Sequence, residues 1–213
     1  MADASVSARA ALWRGEAPLV LASKSEVRRA MLEAAGLNPH VMSAELDDRA
    51  LEERFLVEGG RSDDLAAALA RAKALTASRS RPEAYCLGAD QTLTLGDRLM
   101  HKPRDLVEAA QSLAILAGRR HRLTAAFSVA REGRTLVVDA DHADLQMRAL
   151  DGNAIEHYLK FGGPGVLRSV GAYQLEGLGV HLFDRVEGDY TTILGLPMFR
   201  LLRWLRRQKL ISL

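Results

Sequence analysis

The chain has 213 residues, of which 48% are apolar and 26% charged, values typical of one globular domain or one body with two lobes. A single cysteine excludes an intramolecular disulfide framework, a net charge of +2 is too balanced to indicate nucleic-acid binding, and no apolar run reaches the ~18 residues of a membrane span. Residues 1–17 also lack the apolar stretch of a secretory signal. We therefore expect a cytoplasmic protein, with an N-terminal extension over residues 1–17 that need not be well ordered and a single domain over residues 18–213.

The apolar patterns predict helices interspersed with strands. A buried strand over residues 18–23 leads into a helix that ends at Gly36, and Ser23 and Glu26 have the spacing of a capping box at its start. Further along, the patterns predict a helix over 62–79 capped by Ser62, a strand over 85–90, a helix over 104–117, two long strands over 122–130 and 135–148, a helix over 152–160, a strand near 179–186 and a terminal helix opened by Pro197. Together these elements indicate an α/β protein with a mixed sheet.

The start of the first helix is a candidate anion site. Ser23, Ser25, Arg28 and Arg29 surround it, the free N–H groups of a helix N-terminus favour phosphate, and arginine binds phosphate through two hydrogen bonds. From the local chemistry alone, however, a capped helix with two solvated arginines is the simpler interpretation.

Two carboxylate positions and one lysine are further candidates. Asp90 ends a predicted strand, and ligands of open α/β sheets bind at that edge, so Asp90 is placed to hold a metal ion or to accept a proton. A structural role as a turn-forming residue explains Asp90 equally well. Lys102 can neutralise phosphate or lie on the surface, and the pair Asp47 and Asp48 can supply a metal ligand or form an acidic loop.

The terminal helix is strongly basic. Its Arg200, Arg203 and Arg207 share one face, and the last fourteen residues contain no acid. We expect this helix to pack on the core with a solvated basic face, rather than to bind a membrane or nucleic acid.

Five segments of the chain, in one order over residues 18–207, resemble the Maf family of nucleoside triphosphate pyrophosphatases: LVLASKSEVRRAMLEAAGL, RAKA, LGADQTLTLGDRLMHKP, GAYQLEGLG and EGDYTTILGLP. The resemblance implies an elongated mixed β-sheet body with flanking helices, related to the inosine triphosphate pyrophosphatases, with two lobes around a nucleotide cleft. It implies hydrolysis between the α and β phosphates to a nucleoside monophosphate and pyrophosphate. It also implies a divalent cation (Mg²⁺, Mn²⁺ or Co²⁺) as cofactor and a homodimer.

The resemblance assigns roles by position. Substrate binding falls on Ser23, Ser25, Arg28, Arg29, Lys73 and Lys102, catalysis on Asp90, and metal binding on Asp48 and Asp90. Basic side chains of such a site neutralise the triphosphate, while carboxylates hold the metal and activate water. The chain departs from the family at Ser169, where a catalytic lysine is usual, and Arg168 is the nearest replacement for its charge.

Base choice is expected to depend on Val27, Gln91 and Glu176. Gln91, Glu176 and the run LFDRVEG resemble the 7-methyl-GTP branch of the family, although Val27 replaces the stacking tryptophan of that branch. A carboxylate such as Glu176 accepts hydrogen bonds from guanine N1–H and N2–H₂, which thymine and uracil do not offer. The alternative to an enzyme is a catalytically weak protein of the same fold, regulatory or associated with nucleic acid and linked to cell division, which the missing lysine favours slightly.

Overall fold

The computed structural model describes residues 12–213. Its helices are α1 (Glu26–Ala34), α2 (Asp48–Val57), α3 (Ser62–Ser80), α4 (Leu106–Leu116), α5 (Gly152–Gly162), α6 (Tyr190–Ile193) and α7 (Met198–Arg207). Its strands are β1 (Leu19–Ala22), β2 (His40–Met42), β3 (Tyr85–Leu95), β4 (Arg98–Met100), β5 (Arg120–Arg131), β6 (Arg134–Met147) and β7 (Phe183–Glu187). Three short 3₁₀ segments, Gly163–Arg168, Val170–Ala172 and Leu178–Leu182, lie between α5 and β7. The predicted α/β class is confirmed.

Seven strands form one mixed sheet in the order β2-β1-β3-β5-β6-β7, with β4 paired to β3. β1 is parallel to both β2 and β3, and its last residue, Ala22, pairs with Met42 on one side and Gly88 on the other. The pairs β3–β4 and β6–β7 are antiparallel. The carboxyl end of the parallel part therefore lies at Ala22, Met42 and Gly88.

The chain divides into two compact units. The first contains the chain up to Asp90, Ala125–Asp141 and Gly195–Leu213, and the second contains Gln91–Thr124 and His142–Leu194. Each unit has its own apolar core: Leu21, Leu87, Phe127 and Leu201 are buried in the first, and Leu113, Leu145 and Tyr173 in the second. The nucleotide cleft between two lobes and the single domain over residues 18–213 stay predictions.

Both described ends of the chain pair with each other. Trp13 forms a β-bridge with Ile211, the Arg14 N–H donates to the Leu210 carbonyl at 2.8 Å, and the Ser212 N–H donates to the Leu12 carbonyl at 3.1 Å. The part of the predicted N-terminal extension from Leu12 onward thus lies along the C-terminal strand-like segment. Residues 1–11 lie outside the described residues.

Two predicted helix starts are wrong. The side chain of Ser25, not that of Ser23, caps α1 by accepting a hydrogen bond from the Arg28 N–H at 3.3 Å. The Ser23 hydroxyl instead accepts from the Ser25 N–H at 3.3 Å, because the chain turns at these residues after leaving β1. Ser62 is the first helical residue of α3, and Arg61 occupies the N-cap position.

Three other elements also differ from their predictions. The acidic segment after Asp47 is a helix, α2, which buries none of its residues and therefore shows no apolar period. β3 runs on to Leu95, so Asp90 lies inside a strand rather than at its end. The last predicted strand begins only at Phe183, because a 3₁₀ segment occupies the preceding residues.

The terminal helix α7 packs as expected. Leu201 and Leu205 are buried, while Arg203 is exposed. Arg200 differs from the prediction, since its guanidinium forms ion pairs with Asp139 and Asp141 at 3.2 and 3.3 Å rather than pointing to solvent alone. No helix within residues 12–213 has the length and apolar character to cross a membrane.

Candidate active site

Several of the predicted site residues of the first unit follow the carboxyl end of its parallel strands. Ser23 and Ser25 come directly after β1, and Asp90 comes two residues after the last β3 residue that pairs with β1. Asp48, which begins α2, lies in the connection that follows β2. Although Asp90 is not at a strand end, it is thus next to the point where the parallel pairing ends, which is where α/β sheets bind ligands.

Gly88 brings α3 into direct contact with β3. A Cβ at this position would lie 2.2 Å from the Ala70 carbonyl oxygen and 2.5 Å from the Ala74 nitrogen. The backbones therefore meet without a side chain between them, which glycine alone permits. The same Cβ would lie 3.1 Å from the Cβ of Lys73, so this close contact places Lys73 over β3 near Asp90.

Lys73 lies between two carboxylates. Its ammonium donates hydrogen bonds to Asp48 Oδ2 at 2.8 Å and to Asp90 Oδ2. The side chains of Lys73 and Asp90 are each 15% exposed, whereas that of Asp48 is 50% exposed. We call these three residues the Asp48–Lys73–Asp90 cluster. Such partly buried charges interact more strongly than surface ion pairs, because less water screens them.

The guanidinium of Arg28 binds protein atoms on three chain segments. Nε donates to the Gly195 carbonyl at 2.7 Å, and Nη1 donates to the Ala89 carbonyl at 3.0 Å and to the Ser23 hydroxyl at 3.2 Å. Burial lowers the pKa of Arg28, while the charges of Asp90 and Asp48 act in the opposite direction. Three of the five N–H groups thus have protein acceptors. A contact of Arg28 with phosphate stays a prediction.

The neighbouring residues of α1 lie differently. Arg29 is directed outward, with a 58% exposed side chain that pairs with Glu33 at 2.7 Å, so the structure does not bring it into the cluster. Val27 is half-buried, and the hydroxyl of Ser25 is occupied as the helix cap. The hydroxyl oxygens of Ser23 and Ser25 thus act as acceptors here, which leaves their O–H groups and the other N-terminal N–H groups of α1 as candidate donors to an anion. Arg29 is not among these donors.

Three predicted residues belong to the second unit. Gln91 donates from Nε2 to the carbonyls of Thr192 and Ile193 at 3.1 and 2.8 Å. Lys102 is exposed in the loop after β4, and Glu176 is exposed in a turn ahead of the last 3₁₀ segment. The amide nitrogen of Gln91 therefore supports the backbone of α6, a role that its position in the sequence does not indicate.

The second unit also holds a buried histidine. His121 Nε2 lies 2.8 Å from the hydroxyl of Tyr173, and both rings are packed with Phe183. Burial lowers the pKa of His121 to about 4. This side chain is therefore neutral at pH 7 and acts as part of the core.

Sequence reasoning missed two backbone acceptors and the role of Asp47. The carbonyls of Ala89 and Gly195 hold Arg28, and Asp47 caps α2 by accepting from the Ala50 N–H at 3.0 Å. The segment Gly195-Leu196-Pro197 is a sequence signal for a turn, and Gly195 indeed has a φ of +96°. No sequence signal marks the Ala89 carbonyl as an acceptor, because every residue has a backbone carbonyl.

The donors present suit a hard divalent cation. The carboxylates of Asp48 and Asp90 converge on one point, the ammonium of Lys73, and Mg²⁺ is commonly held by one or two carboxylates together with substrate phosphates. Within residues 12–213 no three histidine, cysteine, aspartate or glutamate side chains form a group that could hold a metal. The two carboxylates of the cluster are therefore candidate ligands of a divalent cation.

The family model described as Maf-like protein matches residues 18–208. A Bradyrhizobium diazoefficiens protein named nucleoside triphosphate pyrophosphatase is 44% identical over 201 residues, covering 94% of this chain and 98% of that protein. A Rhizobium etli protein named 7-methyl-GTP pyrophosphatase is 48% identical over 188 residues, covering 88% and 94% of the two chains. A Brucella abortus protein of the same name is 45% identical over 194 residues, covering 91% and 98%.

Proposed function

The chain belongs to the Maf family, and we propose that it is a nucleoside triphosphate pyrophosphatase that hydrolyses the bond between the α and β phosphates. The observation that carries this proposal is the Asp48–Lys73–Asp90 cluster at the carboxyl end of the parallel strands. The names of the similar proteins support the same reaction. Water attacks one phosphorus, the bridging oxygen leaves with the other group, and the products are a nucleoside monophosphate and pyrophosphate.

Each residue type of the site has a part in this chemistry. The N–H groups at the start of α1, with Ser23 and Ser25, offer donors to phosphate oxygens. Lys73 supplies positive charge where negative charge develops, and Asp90 either holds the cofactor or accepts the proton of the attacking water. Lys102 is proposed as a further phosphate contact. Arg29 would have to leave its ion pair with Glu33 and adopt a different side-chain position to contact phosphate.

We propose Mg²⁺, Mn²⁺ or Co²⁺ as cofactor, held by Asp48 and Asp90. When bound, the ion supplies positive charge to the phosphates and makes water a stronger nucleophile. Because the ammonium of Lys73 bridges the same two oxygens, we expect Lys73 to neutralise these carboxylates before substrate and cofactor arrive. A homodimer and a cytoplasmic location remain parts of the proposal.

An assay of pyrophosphate release tests the proposed function. Purified protein is offered 7-methyl-GTP, GTP, ATP, dTTP and UTP with Mg²⁺, Mn²⁺ or Co²⁺ in turn. Stoichiometric pyrophosphate and monophosphate from at least one triphosphate are expected. No release under any condition would favour the catalytically weak regulatory protein, to which Ser169 in place of the family lysine points.

Alanine substitutions of the two candidate phosphate-binding lysines should lower kcat/KM. We expect Lys73→Ala and Lys102→Ala each to lose ~10- to 150-fold, the equivalent of one charged hydrogen bond of about 1.5–3 kcal/mol. The reason is that each removes positive charge offered to the triphosphate. Initial rates over a range of substrate concentrations provide the measurement.

The matched control for these lysines is Arg203→Ala, a loss of one exposed positive charge on α7, outside the proposed site. Its kcat/KM should stay within about twofold of the wild type, since an exposed charge is screened by water and salt. If Arg203→Ala were the most damaging of the three, a partner-binding role of the basic helix would replace the phosphate-binding proposal.

Base choice is proposed to favour 7-methyl-GTP or another purine triphosphate over dTTP and UTP. We expect Glu176 to accept from both N1–H and N2–H₂ of guanine, whereas thymine and uracil offer a single N–H flanked by two carbonyls. A polar group left unsatisfied when the bound base covers it costs ~1–3 kcal/mol, or roughly 5- to 150-fold. Competition between 7-methyl-GTP and dTTP measures the preference directly. The double change Gln91→Thr with Glu176→Gln should move it toward pyrimidines.

The single variant Glu176→Gln makes this test cleaner. Glu176 is exposed in a turn, so the change carries little structural cost, whereas Gln91→Thr also removes two hydrogen bonds to α6. A wild type that prefers dTTP or UTP, with no response to either variant, would show that these positions do not read the base.

A further inference from the structure

Arg28 fixes the backbone next to the candidate catalytic carboxylate. The Ala89 carbonyl that accepts from its Nη1 belongs to the residue directly before Asp90. Ala89 is also one residue beyond Gly88, the last β3 residue that pairs with β1. The guanidinium therefore donates a hydrogen bond to β3 on the side that faces β1, at the point where β1 itself has ended.

The same guanidinium holds two further segments. The Ser23 hydroxyl, which accepts from Nη1, lies at the turn between β1 and α1, and the Gly195 carbonyl, which accepts from Nε, precedes α7. Gly195 has a φ of +96°, so this carbonyl is directed by a turn that most residues do not adopt. One planar fork thus sets the relative positions of three pieces of the first unit.

On the basis of the proposed function, we propose that Arg28 is a positioning residue, which acts on turnover by holding the Asp90 carboxylate in place through the Ala89 carbonyl. The planar guanidinium has five N–H groups in a fixed geometry, and a lysine ammonium cannot reach the same three acceptors. Arg28→Lys therefore keeps the positive charge and removes the positioning. If the main role of Arg28 were to attract phosphate, Arg28→Lys would retain most of the activity, because the positive charge is kept.

The test separates turnover from binding. The variants Arg28→Lys and Arg28→Ala are compared with wild type for kcat on 7-methyl-GTP, GTP and dTTP. Calorimetry measures the Kd of α,β-methylene-GTP, which is not hydrolysed. We expect kcat to fall ~10²-fold in both variants, the size of effect that a misplacement of about 1 Å produces. The positioning role predicts that the Kd of the analogue changes by less than about threefold, because uniform binding is retained, whereas the phosphate contact implied by the family resemblance predicts a weaker Kd in Arg28→Ala.

The matched control is Arg203→Lys, the same exchange on the exposed face of α7, for which kcat and Kd should equal those of the wild type. Binding stoichiometry from the calorimetry gives the folded fraction, so a loss of folded protein is not mistaken for a loss of kcat. If Arg28→Lys retains wild-type kcat, or if the two variants weaken Kd at least tenfold with kcat unchanged, the proposal is overturned.

A second variant covers the case in which Arg28→Lys does not fold. Ser23→Ala removes one of the three acceptors and leaves the two carbonyls in place, and we expect a several-fold lower kcat at saturating substrate. The variant is judged on kcat alone, because Ser23 is itself a proposed donor to phosphate. Unchanged kcat would overturn positioning through this network. If the wild type itself releases no pyrophosphate from any triphosphate, the proposed function fails together with this inference. If the wild type is active but the variants retain its kcat, the proposed function stands and only the positioning role of Arg28 fails.

Discussion

Asp90→Asn is expected to lower kcat by ~10²–10⁴-fold, the usual cost of losing one positioned general base. The change is isosteric but removes the negative charge that faces Lys73 in a setting only 15% exposed. The amide oxygen of asparagine still accepts a hydrogen bond from Lys73, so the fold should lose little stability. Pyrophosphate release with 7-methyl-GTP and GTP, together with thermal denaturation, measures the two effects separately.

Asp97→Asn is the matched control, because Asp97 is exposed in the turn between β3 and β4 and undergoes the same change of charge away from the cluster. It should retain wild-type kcat. An Asp90→Asn enzyme with more than about half of the wild-type activity would remove Asp90 from the catalytic role. A large loss of thermal stability in that variant would instead make the residue structural.

Gly88→Ala is expected to be the most destabilising single methyl addition in the first unit. The new Cβ would lie 2.2 Å from the Ala70 carbonyl oxygen, and backbone on both sides must move to accept it. Overpacking costs ~1–3 kcal/mol and sometimes more, and we expect about 3 kcal/mol or more here. For a chain of this length that is a fall in Tm of about 6–12 °C. Activity should fall too, because Lys73 moves with α3.

The control for this substitution is Gly152→Ala. Gly152 begins α5, has open space around its Cβ position and no positive φ, so alanine should raise stability by about 0.5–1 kcal/mol. Differential scanning calorimetry of the two variants gives the comparison. An unchanged Tm in Gly88→Ala would show that α3 does not pack on β3 as described.

The sequence predicted the local structure well where that structure follows directly from a regular apolar pattern. The strand β1 and the helix α1 after it lie where these patterns predict them, whereas the anion site at the start of α1 stays a prediction. The helix predicted over 152–160 is likewise present as α5, and Asp151 caps it by accepting from the Ala154 N–H. In both cases local signals and the final packing agree, which is the condition for reading structure from a single sequence.

The parts that could not be predicted depend on tertiary contacts. α2 is exposed on all sides, so no apolar period distinguishes it from a loop. The contact between Lys73 and Asp90 depends on Gly88, whose role as a packing point is visible only when α3 lies on β3. The sequence gives no sign that Arg28 is held in place, because two of its three acceptors are backbone carbonyls of distant segments, those of Ala89 and Gly195.

The pairing of both chain ends in the first unit has a consequence for synthesis. The core of that unit joins Leu19 and Leu21 to Leu201 and Leu205, which follow about 180 residues later in the chain. Such a distant contact closes slowly, and α7 is made only after the whole of the second unit. The apolar segment Leu19–Ala22 therefore lacks its contacts with α7 while the second unit is being made. The yield of native protein in a cell will accordingly depend on elongation speed and on chaperone supply during this interval.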